Sequence, residues 1–123
     1  MKTITIDSKS GVWDVSRSKF ATVFSRQKVA RKKWNVNTTS VYRETYEILK
    51  LGDVRPLTVN APKNAVWEVR YYTHSPPVKG EGNATQMPKW TRVTLGYSDA
   101  VGIVLDAIGY PKDNAKLKEY LEV

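Results

Sequence analysis

The stretch from Trp67 to Ile108 constrains the fold of this 123-residue chain more than any other. Polar and apolar residues alternate over 67–74 and again over 89–97, and the residues from Ser98 onward repeat apolar side chains at helical spacing. Alternation places successive side chains on opposite faces of a strand, whereas helical spacing gathers them on one side of a helix. The stretch therefore predicts strand, loop, strand and helix, with the proline- and glycine-containing segment 75–88 as the loop.

The two predicted strands indicate a sheet with unlike faces. The apolar face is predicted to carry Trp67, Val69, Tyr71, Val93 and Leu95. The opposite face is predicted to carry Glu68, Arg70, Tyr72, His74, Trp90, Arg92 and Thr94. A sheet with helices on its apolar face alone would leave a face of cations, aromatic rings and hydroxyl groups open to a ligand.

The first residues of the chain predict a β-hairpin. Ile4 and Ile6 share one side of the first strand, residues 8–11 are typical of a turn, and the return strand places Trp13 and Val15 beside the isoleucines. The sheet would therefore begin at the N-terminus.

The middle of the chain fits two structures. Residues 16–34 match both helical spacing and a β-branched, aromatic strand, so both readings stay open. Residues 40–49 also match both, and their threonine, tyrosine and valine content favours a strand. Leu57–Asn60 predicts another short strand before the turn at Lys63 and Asn64.

Two helices are predicted at the C-terminal end. Ser98 is expected to cap the first helix, Gly109 to end it, and Pro111 to begin the second. The first helix is apolar around most of its circumference, which predicts burial on more than one side and contact with a second subunit. Strands at about 2–97 followed by helices at about 98–121 indicate one domain over 1–123, an α+β fold with an antiparallel sheet.

The net charge of +8 is unevenly distributed. Residues 1–36 hold nine lysines and arginines and two acids, and the run Arg26–Lys33 is the densest. A basic half is typical of a protein that binds a polyanion, although the same run also suits a solvated edge strand, where lysines discourage unwanted pairing.

Catalytic chemistry is poorly represented. The chain has no cysteine and a single histidine, His74, and its acids are scattered. These counts exclude disulfides and thiolate catalysis, and they argue against a catalytic triad, a metal site or a cofactor site. We therefore expect no enzymatic activity. Because no signal peptide and no apolar run of about 20 residues is present, we expect a soluble intracellular protein with no membrane partner.

The layout of the chain resembles the coat proteins of single-stranded RNA bacteriophages. An N-terminal hairpin, meandering antiparallel strands and two C-terminal helices occur in that order, and the resemblance is best over residues 57–121. There Leu57–Asn60 resembles a central strand, Trp67–His74 the next strand, and 76–88 the long loop before the last strand.

The resemblance implies an interlocked homodimer that assembles into an icosahedral shell, with the 75–88 loop making contacts around the symmetry axes. It implies that the open sheet face binds single-stranded genomic RNA and in some members an RNA hairpin, as a translational repressor. The protein would then lie in the virion, and in the host cytoplasm during assembly. The RNA-binding residues carried over by strand position are Thr58, Asn60, Arg70, Tyr72, Trp90, Arg92 and Thr94. The expected dimer interface comprises Val101, Val104, Leu105, Ile108, Leu117, Tyr120 and Leu121.

Two alternatives remain. A single-stranded DNA-binding protein of a filamentous phage or plasmid, built on an OB-like barrel, uses the same basic and aromatic features. A helix-turn-helix regulator would use residues 16–34 and requires that segment to be helical.

Overall fold

A computed structural model of the chain describes residues 3–18, 21–31, 39–51, 66–74 and 88–123, and the side chains of all of these except 28–31, 39–42 and 74. It forms an α+β fold in which six antiparallel strands precede two helices. The strands are β1 (Thr3–Ser8), β2 (Gly11–Arg17), β3 (Ala21–Arg31), β4 (Thr39–Lys50), β5 (Trp67–His74) and β6 (Trp90–Thr94). Their order in the sheet is their order in the sequence, so β1 and β6 are the edges of the sheet that the described strands form.

The N-terminal hairpin is confirmed in its register. Ile4 pairs with Val15 and Ile6 with Trp13, so the four apolar side chains share one face. Gly11, at the end of the turn, has a φ of 132°, and a Cβ there would lie 2.7 Å from Arg26 Nη1, so a side chain at this position would strain the backbone and displace the end of Arg26.

The ambiguous middle of the chain is β structure over 16–17, 21–31 and 39–50. β3 and β4 pair over eleven positions, from Ala21 with Leu49 to Arg31 with Thr39. The helical reading of residues 16–34 is therefore wrong over 21–31. The spacing of Phe20, Val23 and Phe24 suited both periods, and pairing with two neighbouring strands decided the outcome.

The predicted central strand at 57–60 lies outside the described residues. β4 and β5 pair directly with each other, from Arg43 with His74 to Lys50 with Trp67, so no other strand lies between them. The strand that precedes β5 in the sheet is therefore β4. The predicted loop at 75–88 also lies outside the described residues, apart from Pro88.

The two helices begin at different residues from those predicted. The first helix, α1 (Tyr97–Ile108), has Gly96 as its N-cap, so Ser98 lies inside the first turn and caps nothing. Gly109 ends α1 as expected, with a left-handed φ of 76°. The second helix, α2 (Ala115–Leu121), begins four residues after Pro111, because the Asn114 side chain accepts a hydrogen bond from the backbone N–H of Leu117 at 3.1 Å.

Both helices cover one face of the sheet. The Ser10 hydroxyl and backbone N–H both donate to the Ile108 carbonyl, so the β1–β2 turn closes the C-terminal end of α1. At the other side, the Tyr97 hydroxyl lies 2.8 Å from the Thr22 hydroxyl. The buried core between helices and sheet consists of Ile6, Trp13, Val15, Phe24, Tyr46, Ile48, Val69, Ala100, Val101, Val104, Leu105, Ile108, Leu117 and Leu121. Neither described helix is long and apolar enough to cross a membrane.

Candidate nucleic-acid interface

The helices give the sheet a helix-side face and a distal face, the latter defined as the face opposite α1 and α2. Side chains of direct cross-strand partners share a face. Starting from the buried Val15, Phe24 and Tyr46, the register therefore assigns their neighbours in each strand to the distal face. The distal residues with described side chains in the four central strands are Val12, Asp14, Ser16, Ala21, Val23, Ser25, Gln27, Arg43, Thr45, Glu47, Leu49, Glu68, Arg70 and Tyr72.

The prediction that β5 and β6 share one polar face is wrong for β6. Arg92 pairs with Val69 and Trp90 with Tyr71, so Arg92, Trp90 and Thr94 lie on the helix side. Val93 pairs with Glu68, so it lies on the distal face and not with Val69 and Tyr71 as predicted. Leu95, which was predicted on the same apolar face, follows the end of β6 and is 61 % exposed. Three of the predicted RNA-binding residues are thereby separated from Arg70 and Tyr72.

Aromatic packing accounts for this inversion. The Trp90 ring stacks on Tyr71 with ring centroids 5.7 Å apart, and it lies 5.8 Å from the Tyr46 ring. Offset aromatic pairs stabilise a fold by more than the burial of their surface area alone would. Because β6 is an edge strand, Arg92 reaches solvent from the helix side and the alternation of β6 carries no sign of which face is buried.

Arg70 lies on the distal face as predicted, but it is buried. Its Nε donates to Glu68 Oε1, and Glu68 is itself fully buried. Removing a charged partner from such a buried pair destabilises a protein by about 3–5 kcal/mol. The role of Arg70 in this structure is therefore to neutralise Glu68.

Tyr72 lies on the distal face beside this pair and is half-buried. Burial raises the pKa of its hydroxyl, and the negative charge of Glu47 raises it further, while Arg70 acts in the opposite direction. The phenol therefore stays protonated at neutral pH and can both donate and accept hydrogen bonds.

A row of polar side chains crosses the accessible part of the distal face. Asp14, Ser25, Thr45 and Tyr72 are successive cross-strand partners in β2, β3, β4 and β5, and we call them the distal row. With neighbouring strands about 4.8 Å apart, the row spans about 14 Å. Arg43 is exposed beside it and donates from Nη1 to the Ser25 hydroxyl at 2.8 Å.

Sequence reasoning missed Ser25, Arg43 and Thr45. The signal was present, because residues 43–49 alternate between distal and helix-side positions in the same way as 67–73. The open choice between helix and strand concealed it in residues 16–34. In residues 40–49, where a strand was favoured, the face of each side chain depends on pairing with β3 and β5. Thr58 and Asn60, which were predicted to join the site, lie outside the described residues.

The first residue of the basic run, Arg26, does not lie on the distal face. Arg26 lies on the helix side, where its Nε is 3.2 Å from Glu44 Oε2 and its guanidinium lies 5.0 Å from the centre of the Trp13 ring. Both side chains of the ion pair are almost buried. The side chains of the remaining run, Lys28–Lys33, are outside the description.

The residues predicted for a dimer interface are packed within one chain. Val101, Val104, Leu105, Ile108, Leu117 and Leu121 are all buried, and Tyr120 is half-buried with its hydroxyl 3.4 Å from the Val15 carbonyl. The apolar circumference of α1 is therefore explained by the sheet beneath it and by α2 beside it.

The charge of the chain divides unevenly between the described residues and the others. Described side chains include eleven lysines and arginines and ten acids, a net charge of +1, so the other nine cations and two acids carry +7. The distal face carries two described cations, Arg43 and Arg70, and four described acids, Asp7, Asp14, Glu47 and Glu68.

The distal face thus offers hydrogen-bonding groups and one exposed arginine, without a concentration of positive charge among its described residues. Comparisons with protein-family models, with curated proteins and with solved structures find no match to this chain.

Proposed function

We propose that this chain is a self-assembling viral coat protein that binds single-stranded RNA on the distal face. The observation that carries the proposal is the difference between the two faces of the sheet. The helices cover one face completely enough to bury Val15, Phe24 and Val69, while the other presents hydroxyl groups, a tyrosine and an arginine. The order of elements is the one that the resemblance to RNA-phage coat proteins implies.

The described groups on the distal face suit unpaired RNA. Hydroxyl groups can donate to and accept from base edges, tyrosine rings can stack on bases, and arginine can bind phosphate or stack. Ser25, Thr45 and Tyr72 supply the first two functions, and Arg43 supplies the third. Arg70, Trp90, Arg92 and Thr94 are not part of this proposed site.

Self-association is supported by the β6 edge. Among the described strands, β6 has a partner on one side only, and it ends beside Leu95, which is 61 % exposed, while Trp90 is 37 % exposed. An exposed, apolar edge strand is a template for pairing with another chain. We propose that two copies pair at β6. If the two copies exchange α1 and α2, the helices of each copy pack on the sheet of the other. The predicted interface residues of α1 and α2 then lie between the two copies.

The two alternative functions fit the described elements less well. An OB-like barrel is a Greek key, whereas the described strands follow one another in sequence order. A helix-turn-helix regulator needs a helix in residues 16–34, where 21–31 form a strand. The proposed role is structural and binding, in the virion and in the host cytoplasm during assembly, with no catalytic step.

Assembly of the purified protein tests the proposal. We expect expressed protein to elute as particles of megadalton size by light scattering, with closed shells in negative-stain electron micrographs. RNA inside the shells would give a 260/280 nm absorbance ratio above that of protein. A monomer or dimer that never assembles, even after addition of single-stranded RNA, would contradict a coat function.

A matched pair of arginine variants tests the face. Arg43→Ala removes the exposed arginine of the distal face, and Arg92→Ala removes an exposed arginine of the helix side. We expect Arg43→Ala to reduce the RNA content of the particles and Arg92→Ala to leave it unchanged. The reverse result would assign RNA to the helix side.

A further inference from the structure

A groove of about 220 Å³ lies between α1 and α2. All of its described lining residues fall within 98–123, so the two helices and the segments next to them form it without the sheet. Because its polar lining residues Ser98, Lys112 and Lys118 are exposed, the groove opens to solvent. The apolar residues of the two helices that line it are Val101, Gly102, Leu105, Leu117 and Leu121.

Gly102 leaves space in this groove that the packing of the described chain does not use. It lies in the interior of α1, where glycine is less favourable than alanine. A Cβ at this position would meet no neighbouring atom within 4 Å, so no close approach within the described chain requires the glycine. The missing side chain instead widens the groove, and a long side chain here would occupy it.

The charged part of the lining is cationic. Two lysines line the groove, and no aspartate or glutamate does among the residues that the structure describes. Lys112 is paired, because its Nζ lies 2.8 Å from Asp106 Oδ2. Lys118 forms no ion pair with any described residue, so its ammonium group is available to an anionic ligand beside the apolar lining.

The size of the groove limits the ligand to a small molecule. Sites for drug-sized ligands have volumes of about 300–1,000 Å³, and this groove is smaller. From Ser98 to Leu105 its lining follows α1 for about 10 Å, which matches an extended chain of about eight carbons. A short alkyl chain that ends in one negative charge therefore fits both the apolar lining and Lys118.

We propose that this groove binds a free medium-chain fatty acid, with the alkyl chain against the apolar lining and the carboxylate at Lys118. The site is independent of RNA binding on the distal face, because none of its described residues lies in the sheet. Exchange of α1 and α2 between copies would carry the groove intact, since both of its walls move together. A carboxylate gains little from one exposed lysine, so the buried methylene groups supply most of the affinity.

Isothermal titration calorimetry of the full chain with defined amphiphiles tests the ligand class. We expect octanoate to bind saturably, with one molecule per chain. Each buried methylene group multiplies affinity about fourfold, so hexanoate, which is two carbons shorter, is expected to bind about fifteenfold more weakly. Octylammonium has the same alkyl chain with the opposite charge, and we expect it to bind more weakly than octanoate.

Gly102→Leu tests the position of the alkyl chain. Leucine is favourable in a helix and has space at this position, so we expect urea denaturation to show no loss of stability. The leucine side chain would lie in the groove and displace at least two methylene groups of the ligand. We therefore expect the affinity for octanoate to fall at least about tenfold.

A matched pair of lysines on α2 tests the charged end of the site. Lys118 and Lys116 are both exposed, and of the two only Lys118 lines the groove. We expect Lys118→Gln to weaken octanoate binding about two- to fivefold, the value of one exposed ion pair, and to leave binding of the neutral 1-octanol unchanged. Lys116→Gln is expected to change neither.

Four results would overturn the proposal. Octanoate that fails to bind saturably, or that binds no better than octylammonium, would exclude a fatty-acid site. Unchanged octanoate affinity in a folded Gly102→Leu variant would place the alkyl chain outside the groove. Equal effects of Lys118→Gln and Lys116→Gln would show that the carboxylate does not lie at Lys118.

Discussion

Two glycines with opposite surroundings show how much single positions contribute to this fold. Gly109 has a left-handed φ of 76°, and a Cβ there would lie 2.8 Å from Lys9 Cβ in the β1–β2 turn. Gly102 lies within α1, and a Cβ there would meet nothing within 4 Å. The sequence predicted that Gly109 ends α1, but it carried no sign of the approach of Lys9, which belongs to the other end of the chain.

Alanine at these two glycines is expected to act in opposite directions. Gly109→Ala forces a left-handed alanine and displaces the turn, so we expect it to lower the free energy of unfolding by about 1–3 kcal/mol. Gly102→Ala adds helix propensity without a clash and should raise it by up to about 1 kcal/mol. Urea denaturation measures both. Equal effects of the two substitutions would contradict both the backbone strain expected at residue 109 and the steric contact with Lys9.

Tyr46 gives a prediction for alkaline pH. Burial raises the pKa of its hydroxyl to about 12, with smaller contributions from Tyr71 and Glu44. Between pH 10 and 12 the unfolded chain then releases this proton before the folded chain does, so stability that is complete below pH 10 falls as pH rises. We expect Tyr46→Phe to reduce this fall in denaturation curves measured from pH 9 to 12. An unchanged pH dependence would assign the fall to other tyrosines.

At the scale of elements, the alternation of polar and apolar residues predicted the position of β5 correctly, whereas the predicted starts of the helices were wrong. β5 was predicted at the residues where it occurs, and the apolar stripe of α1 is buried as expected. The relative phase of β5 and β6 could not be predicted, because it is set by the stacking of Trp90 on Tyr71 across strands. The start of α2 depends on one hydrogen bond that the Leu117 backbone N–H donates to the Asn114 side chain, and this cap outweighed the helix-start signal of Pro111.

The link between the β1–β2 turn and α1 is tested by a pair of serines. The Ser10 hydroxyl donates to the Ile108 carbonyl and accepts from Trp13 Nε1, both at 3.0 Å. Ser10→Ala leaves the buried indole N–H without this partner, so we expect a loss of about 1–3 kcal/mol in urea denaturation. Ser98→Ala is the control, since Ser98 is exposed and caps nothing, and should change stability by less than about 0.5 kcal/mol.

At the scale of the whole molecule, the fold class followed from the order of strands and helices, while the site did not follow from any single segment. The distal row combines residues from β2, β3, β4 and β5, and their alignment depends on three registers. Charge was a poor guide to the site as well, because nearly all of the net charge lies outside the described side chains.

The proposed dimer is tested by two lysine substitutions at exposed apolar residues. Leu95→Lys places a charge beside the β6 edge, and lysine there disfavours pairing with another strand. Val12→Lys makes the same change at a residue that is 55 % exposed in β2, away from that edge. We expect light scattering to show particles assembled from dimers for Val12→Lys and an unassembled monomer for Leu95→Lys. Assembled particles in both would exclude β6 as the interface.

The hydrogen bonds between Ser10 and Ile108 join residues 98 positions apart, so they can form only after α1 has been synthesised. The ribosome releases β1 and β2 long before α1, so Trp13 and Val15 emerge with their apolar face uncovered. About a hundred residues must be made before the chain's own helices can reach them. For the proposed exchange of α1 and α2, this interval is when the helices of a neighbouring nascent chain on the same polysome would compete for that face. We therefore expect dense translation of one message to raise the share of exchanged dimers and sparse translation to raise the share of closed single chains.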